Sequence, residues 1–208
     1  MNSPTRLHLP APAKLNLFLH VTGRRADGLH LLETVFQFID LEDHVTLELD
    51  PSGHIGRTHD PEGFSADDDL TLRAARALKE ATGCPLGVRV TLDKQIPMGA
   101  GLGGGSSDAA TVLLGLNQLW ELGLSRERLI DIARPLGADV PIFVYGRNAY
   151  ATGIGDISAV VGGGAPGPED AQAPAPSVNT QRPSASELAQ TGAGSSALTS
   201  AAFGATGL

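Results

Sequence analysis

The stretch that decides the fold reads Pro97-Met98-Gly99-Ala100-Gly101-Leu102-Gly103-Gly104-Gly105-Ser106-Ser107. It lies between residues 88–92, which alternate like a β-strand, and residues 109–122, which keep helical spacing. A glycine-rich turn that opens a helix offers unpaired backbone N–H groups and the positive end of the helix dipole, and both favour a bound phosphate. Glycine suits such a turn because a Cβ would hold the backbone away from the phosphate oxygens. The stretch therefore predicts a phosphate-binding loop rather than a flexible linker, the usual alternative for a glycine run.

The bulk composition narrows the class of protein. The chain has 208 residues and a formal net charge of −8, which argues against nucleic-acid binding because such proteins carry a basic patch. Its single cysteine, Cys84, has no partner for an internal disulfide, which is typical of a reducing cytoplasm. No apolar run reaches the roughly 18 residues of a membrane span, and prolines and Lys14 interrupt the start of the chain where a signal peptide would be apolar. We therefore expect a cytoplasmic protein without nucleic-acid or membrane partners, and the oligomeric state stays open.

Hydrophobic periodicity predicts strands first and then helices interleaved with strands. Residues 7–49 have the alternation and β-rich composition of strands, and residues 51–68 are turn-rich and polar. A helix follows from Leu70, with Asp67 to Asp69 supplying its N-cap, and residues 86–92 form the strand that enters the glycine run. This order favours an α+β domain over a regular α/β repeat.

The second half of the patterned region continues in the same way. We expect the helix over residues 109–122 to end at Gly123, and a further helix to start at the N-cap Ser125 and to end at Pro135 and Gly137. Residues 140–144 and 149–152 are predicted as short strands.

The composition changes at about residue 161. Residues 162–208 are dominated by Gly, Ala, Pro, Ser and Thr, with few large apolar side chains. Such a segment buries too little apolar surface to offset the loss of chain entropy on folding. We therefore expect a folded domain over residues 1–160 and a low-complexity, disordered tail over residues 161–208.

Two common phosphate loops fit the glycine run poorly. Gly99, Gly101 and Gly104 satisfy the G-x-G-x-x-G pattern of a dinucleotide-binding turn. That fold needs a strand after the helix, with an acidic residue at its end, whereas residues 124–133 form another predicted helix. A Walker A loop needs Gly-Lys followed by Ser or Thr after the glycines, and the chain has none there.

The whole string from Pro97 through Ser107 to Asp-Ala-Ala resembles the ATP-binding motif of the GHMP small-molecule kinases. Within that superfamily it is most similar to the 4-diphosphocytidyl-2-C-methyl-D-erythritol kinase family, which acts in non-mevalonate isoprenoid biosynthesis. Three other stretches agree: residues 12–17 (PAKLNL) resemble that family's opening motif, residues 25–30 (RADGLH) its next signature and residues 136–141 (LGADVP) its catalytic segment. The resemblance covers residues 9–160 and implies the GHMP kinase N-terminal domain, of the ribosomal protein S5 domain 2-like fold.

The resemblance also implies roles for individual residues. Asp139 would align the acceptor hydroxyl and take its proton, and Lys14 would lie beside it and stabilise negative charge. Asn16 would orient the acceptor, and His30 would bind a polar group of the substrate such as a cytosine edge. The ATP phosphates would lie on residues of the glycine run: Pro97, Met98, Gly99, Ala100, Gly101, Leu102, Gly103, Gly104, Gly105, Ser106 and Ser107. The serine hydroxyls can hydrogen-bond to phosphate or reach a phosphate-bound Mg²⁺, and no residue is assigned as a protein metal ligand.

The resemblance implies ATP, Mg²⁺ and 4-diphosphocytidyl-2-C-methyl-D-erythritol as the partners, with phosphorylation of the 2-hydroxyl of the diphosphocytidyl alcohol. Two alternatives stay open: a sibling GHMP kinase that acts on homoserine, mevalonate or a sugar, and a non-catalytic nucleotide-binding remnant.

The sequence departs from the family pattern at three places. Leu29 stands where the family usually has Tyr, and Asp69 where it usually has Asn, so cytosine stacking and nucleotide contact would both be weaker. Residues beyond 160 show neither the strands nor the second glycine motif of the superfamily's C-terminal domain. We therefore expect that domain to be missing, through an altered reading frame or as a natural short variant, with weak ATP binding and little turnover as the result.

Overall fold

The computed structural model describes residues 5–26, 28, 30–58, 69–153 and 155–161. The elements follow in the order β1 (Arg6–Arg24), β2 (His30–Asp50), β3 (Ile55–Arg57), α1 (Leu70–Thr82), β4 (Gly87–Asp93), α2 (Gly104–Leu119), α3 (Arg126–Ala133), α4 (Val140–Tyr145), β5 (Ala149–Gly153) and β6 (Asp156–Val160). The predicted α+β class is confirmed, and the predicted tail over residues 161–208 lies almost wholly outside the described residues.

One mixed sheet carries the fold. Its strands run in the order β3-β4-β2-β5-β6, and β1 pairs with β2 along almost its whole length. All pairs are antiparallel except β3 with β4. The strands predicted separately within residues 7–49 form two long strands, and β1 changes register against β2 at three irregularities. The first two of these flank residues 14–16, where candidate site residues lie.

The helices cover the sheet and enclose the core. Apolar side chains of α2, such as Leu113 and Leu116, belong to one buried cluster with Leu47 of β2 and Val90 of β4. At Gly115 the helix lies so close to the sheet that a Cβ would stand 2.5 Å from Leu47 Cδ1. This close approach holds the C-terminal half of α2 against β1 and β2.

Local capping chemistry explains two helix starts. The Asp69 side chain accepts from the backbone N–H of Thr71 at the start of α1, and Ser125 accepts from that of Arg128 at the start of α3. Both N-caps are confirmed. Helix α2 begins at Gly104 instead of residue 109 and ends at Leu119 instead of reaching Gly123, so its first turn is made of the glycine run itself.

Residues 140–144 are helical, and their prediction as a strand was wrong. Pro141 stands in the first turn of α4, where its missing N–H is not needed, and Gly146 ends the helix with φ +76°. Val and Ile favour a strand locally, but burial of Val140, Ile142 and Phe143 in the helical form outweighs that preference. The strand predicted at 149–152 is confirmed as β5, and β6 had not been predicted. No helix in the described ranges is both long enough and apolar enough to cross a membrane.

Candidate active site

The glycine run, residues 97–107, forms a loop between β4 and α2 that we call the glycine loop. Residues with positive φ alternate in it with residues without positive φ. Gly99, Gly101 and Gly103 have φ values of +73°, +76° and +74°, a region that favours glycine strongly over other residues. The intervening Ala100 and Leu102 have no positive φ. The spacing of the glycines is therefore a requirement of the backbone path.

The two sides of the loop differ. A Cβ added at Gly99, Gly101 or Gly105 would meet no atom within 4 Å, whereas one at Gly103 would lie 2.8 Å from Phe143 Cζ. The loop is thus packed against α4 on its inner side and open on its outer side. A ligand can approach the backbone closely only from the open side.

The N-terminus of α2 has the features of an anion site. Gly103 is its N-cap and supplies no side-chain cap, and its first turn carries no acidic residue. Ser107, on that turn, is 1% exposed, and its Oγ has no hydrogen-bond partner within the described parts of the chain. Uncapped N–H groups, the positive end of the dipole and a free hydroxyl all suit phosphate oxygens.

Lys14 joins the loop to a carboxylate. This residue of β1 is only 5% exposed, and its Nζ lies 2.6 Å from Asn16 Oδ1, 3.1 Å from Gly101 O and 3.2 Å from Asp139 Oδ2. Its backbone N–H also donates to Leu102 O at 3.0 Å. The structure therefore brings Lys14, Asn16 and Asp139 together at the glycine run.

Asp139 is available for chemistry. It occupies the N-cap position of α4, yet its side chain makes no capping hydrogen bond, so it does not serve as an ordinary helix cap. About a third of the side chain is exposed, and the Lys14 ammonium lies on its other side. A carboxylate held by a buried cation and open to solvent can meet a ligand hydroxyl.

His30 does not lie with this group. It is the first residue of β2 and pairs with Arg24, whereas Lys14 pairs with Phe38, eight residues farther along the same strand. That separation is roughly 26 Å along an extended strand. Leu29, where the sequence departs from the family pattern, lies outside the described residues.

A second charged cluster behind the loop was missed by the sequence analysis. Asp43 is fully buried and accepts from the backbone N–H groups of Gln95 (2.6 Å) and Ile96 (2.8 Å), which lead into the glycine loop. Lys94 Nζ contacts Asp43 and lies 2.6 Å from Asp108 Oδ2, on the residue that follows the first turn of α2. The cluster therefore ties both ends of the loop together.

Three charges share this buried space, and two of them are negative. Burial raises the pKa of Asp108 to about 7, an effect that the Lys94 ammonium opposes and the Asp43 carboxylate reinforces. Burial would lower the pKa of Lys94, but Asp108 and Asp43 together raise it. The position of Asp108 directly after the two serines was the only sequence signal for this cluster, since Asp43 and Lys94 are distant along the chain.

Asp69 has structural partners. Its side chain is buried and contacts the Arg57 guanidinium while it caps α1 through Thr71. Burial alone would raise its pKa, but the hydrogen bonds from Arg57 and Thr71 keep the pKa below its usual value. Arg57 and Thr71 thus hold this carboxylate among the described residues, and weaker nucleotide contact at Asp69 stays a prediction.

The comparisons with known proteins agree with this geometry. Residues 69–147 match the family model of the GHMP kinases N-terminal domain. A 4-diphosphocytidyl-2-C-methyl-D-erythritol kinase of Bordetella pertussis is 58% identical over 157 residues, which are 75% of this chain and 52% of the relative. One of Ralstonia pickettii is 60% identical over 147 residues, 71% of this chain and 51% of the relative.

A solved structure supports the same assignment. The crystal structure of a 4-(cytidine 5'-diphospho)-2C-methyl-D-erythritol kinase superposes with a TM-score of 0.63 at 46% identity, covering 74% of this chain and 55% of that one. The chain spans about half the length of the curated relatives that it matches. The match of fold, loop and sequence shows that this chain carries the N-terminal domain of the GHMP kinases.

Proposed function

We propose that the chain binds ATP on the glycine loop and transfers its γ-phosphoryl group to the 2-hydroxyl of 4-diphosphocytidyl-2-C-methyl-D-erythritol, a step of non-mevalonate isoprenoid biosynthesis. The observation that carries the proposal is the position of Lys14 Nζ, which contacts both Gly101 O in the loop and Asp139 Oδ2. One cation thus links the place for phosphates to a carboxylate that can hold an acceptor. The substrate is inferred from the relatives, which are 4-diphosphocytidyl-2-C-methyl-D-erythritol kinases, and from the four sequence motifs.

The ATP phosphates would lie on the open side of residues 97–107. The uncapped N–H groups at the start of α2 would bind phosphate oxygens, and the Ser107 hydroxyl would donate to one of them. Mg²⁺ bound with ATP would neutralise charge on the phosphates, and the Ser106 and Ser107 hydroxyls are the side chains that could reach its hydration shell.

Asp139 would act on the acceptor. The substrate hydroxyl donates a hydrogen bond to the carboxylate, its oxygen attacks the γ-phosphorus, and the bond from that phosphorus to the β–γ bridging oxygen breaks. The hydroxyl proton passes to Asp139, and ADP leaves with the electron pair of the broken bond. Lys14 would hold the Asp139 carboxylate through their ion pair and stabilise negative charge on the reacting oxygens.

Asn16 and His30 would contribute to substrate binding. The Asn16 carboxamide is half-buried beside the Lys14 ammonium and can orient the acceptor. His30, farther along the hairpin of β1 and β2, would reach a polar edge of the cytosine. The lone Cys84 supports a cytoplasmic location, and the acidic net charge argues against a nucleic-acid partner.

A coupled assay with ATP, Mg²⁺ and the diphosphocytidyl alcohol tests the proposal. Asp139→Asn should lower turnover by roughly 100-fold or more and leave ATP affinity unchanged, because only proton transfer and acceptor alignment are lost. Asp131→Asn is a matched control, since that carboxylate is exposed on α3. Equal turnover in the Asp139 variant and the parent would contradict the assigned role.

The same assay separates the alternatives. Saturable ATP binding with no phosphorylated product would favour a non-catalytic nucleotide-binding domain. Transfer to homoserine, mevalonate or a sugar in preference to the diphosphocytidyl alcohol would favour a sibling kinase.

A further inference from the structure

Thr34 closes a chain of hydrogen bonds that begins at the Lys14 ammonium. Thr34, on β2, is fully buried, and its hydroxyl lies 2.6 Å from Phe18 O and 2.8 Å from Asn16 Nδ2. Asn16 Oδ1 in turn lies 2.6 Å from Lys14 Nζ. None of the sequence motifs includes Thr34.

Donor and acceptor rules fix the direction of every bond in this chain. A carbonyl oxygen only accepts, so the single hydroxyl hydrogen of Thr34 must be donated to Phe18 O. The same hydroxyl can then only accept from Asn16, which turns the amide nitrogen of Asn16 towards Thr34. An ammonium only donates, so the amide oxygen of Asn16 must face Lys14. Both ends of the chain demand the same orientation of the Asn16 carboxamide.

The backbone explains why Thr34 is placed to do this. The pairing of β1 with β2 shifts register between Asn16 and Leu19, and the Phe18 carbonyl in that irregularity is the acceptor for Thr34. The irregularity therefore supplies the fixed acceptor on which the chain of bonds ends.

The orientation of the Asn16 carboxamide determines one of the hydrogen bonds of the Lys14 ammonium. Lys14 Nζ has three N–H donors and three oxygen partners, on Asn16, Gly101 and Asp139. If the Asn16 carboxamide turned over, its NH₂ group would face the ammonium and repel it, and Lys14 would lose one of the three bonds that hold it between the loop and Asp139.

We infer that Thr34 is a positioning residue: through Asn16 it orients the Lys14 ammonium between the glycine loop and Asp139. The catalytic part of this inference rests on the proposed kinase activity. The hydrogen-bond part does not, and it can be measured without turnover.

The test compares Thr34→Val with Thr34→Ser in the full 208-residue chain. Valine keeps the shape and removes the hydroxyl, whereas serine keeps the hydroxyl and removes the methyl group. By NMR, the Asn16 side-chain amide protons should exchange roughly three- to tenfold faster in Thr34→Val and at the parent rate in Thr34→Ser, since one hydrogen bond is lost only in the former. In the kinase assay, Thr34→Val should lower kcat about tenfold with an unchanged KM for ATP, and Thr34→Ser should keep the kcat of the parent chain.

Two results would overturn the inference. One is unchanged amide exchange in Thr34→Val; the other is a Thr34→Ser variant that loses amide protection or kcat, because packing of the methyl group would then be what matters. If Thr34→Val does not fold, the serine variant still decides by its amide exchange. A parent chain without turnover would count against the proposed function, while the amide exchange would still decide whether Thr34 orients Asn16.

Discussion

Gly103→Ala should destabilise the domain more than any other single Gly→Ala change in residues 99–105. Gly103 has φ +74°, and a non-glycine residue in the left-handed region costs about 1–2 kcal/mol. The new Cβ would also lie 2.8 and 2.9 Å from two atoms of the Phe143 ring and 3.2 Å from Lys14 Cε. Overpacking of this kind costs about 1–3 kcal/mol. Reduced entropy of the unfolded chain returns about 0.4–1 kcal/mol, so the net loss should be about 1–5 kcal/mol, with a centre near 3.

Urea unfolding followed by circular dichroism measures this loss directly, and the loop supplies its own controls. Gly101→Ala carries the backbone strain with no atom within 4 Å of the new Cβ, so it should lose only about 1 kcal/mol. Gly105→Ala lies inside α2 with open space and no positive φ, and it should be neutral or slightly stabilising. The reasoning is refuted if Gly103→Ala unfolds at the same urea concentration as Gly105→Ala.

Two further predictions concern the buried charges behind the loop. Lys94→Met removes the cation shared by Asp43 and Asp108 and should lower the free energy of unfolding by about 2–4 kcal/mol at pH 8, read from urea titrations; an unchanged midpoint would show that the cluster does not stabilise the loop. Because the folded-state pKa of Asp108, about 7, lies above its ordinary value of 3.8, the folded chain binds a proton there that the unfolded chain releases between these pH values. That group's contribution is therefore present below pH 4 and lost as pH rises through 7, a loss of about 4 kcal/mol. Asp108→Asn should flatten this part of the stability profile between pH 5 and 8, and a profile that keeps the parent's slope would contradict the assignment.

Local chemistry could be predicted from the sequence. The N-caps Asp69 and Ser125 were found because a cap needs only a side-chain oxygen two or three residues before the N–H that it accepts from. The glycine loop was predicted for the same reason, because the positive φ values of its turn require glycines that are close together in the sequence. Helix α4 was not, because Val and Ile favour a strand locally and only burial against α2 and α3 makes that segment a helix.

The family resemblance predicted one of the long-range contacts in the site, and the others could not be predicted from the sequence. The approach of Lys14 to Asp139 was implied by the motifs, and the structure brings the two side chains within 3.2 Å. The contact of Lys94 with Asp43 joins residues 51 positions apart, and no periodicity marks it. Thr34 was missed likewise, since a threonine in a β-strand is ordinary and its role depends on a register irregularity in β1.

Isothermal titration of the 208-residue chain with ATP and with adenosine, both in the presence of Mg²⁺, tests the central claim most directly. If the glycine loop holds the phosphates, ATP should bind at least about tenfold more tightly than adenosine, since several charge-assisted hydrogen bonds are at stake. Gly105→Ala should keep its stability and lose most of that difference, because its Cβ would project into the open space beside the loop. Equal affinities for ATP and adenosine, or a Gly105→Ala variant that binds ATP as the parent does, would contradict the account.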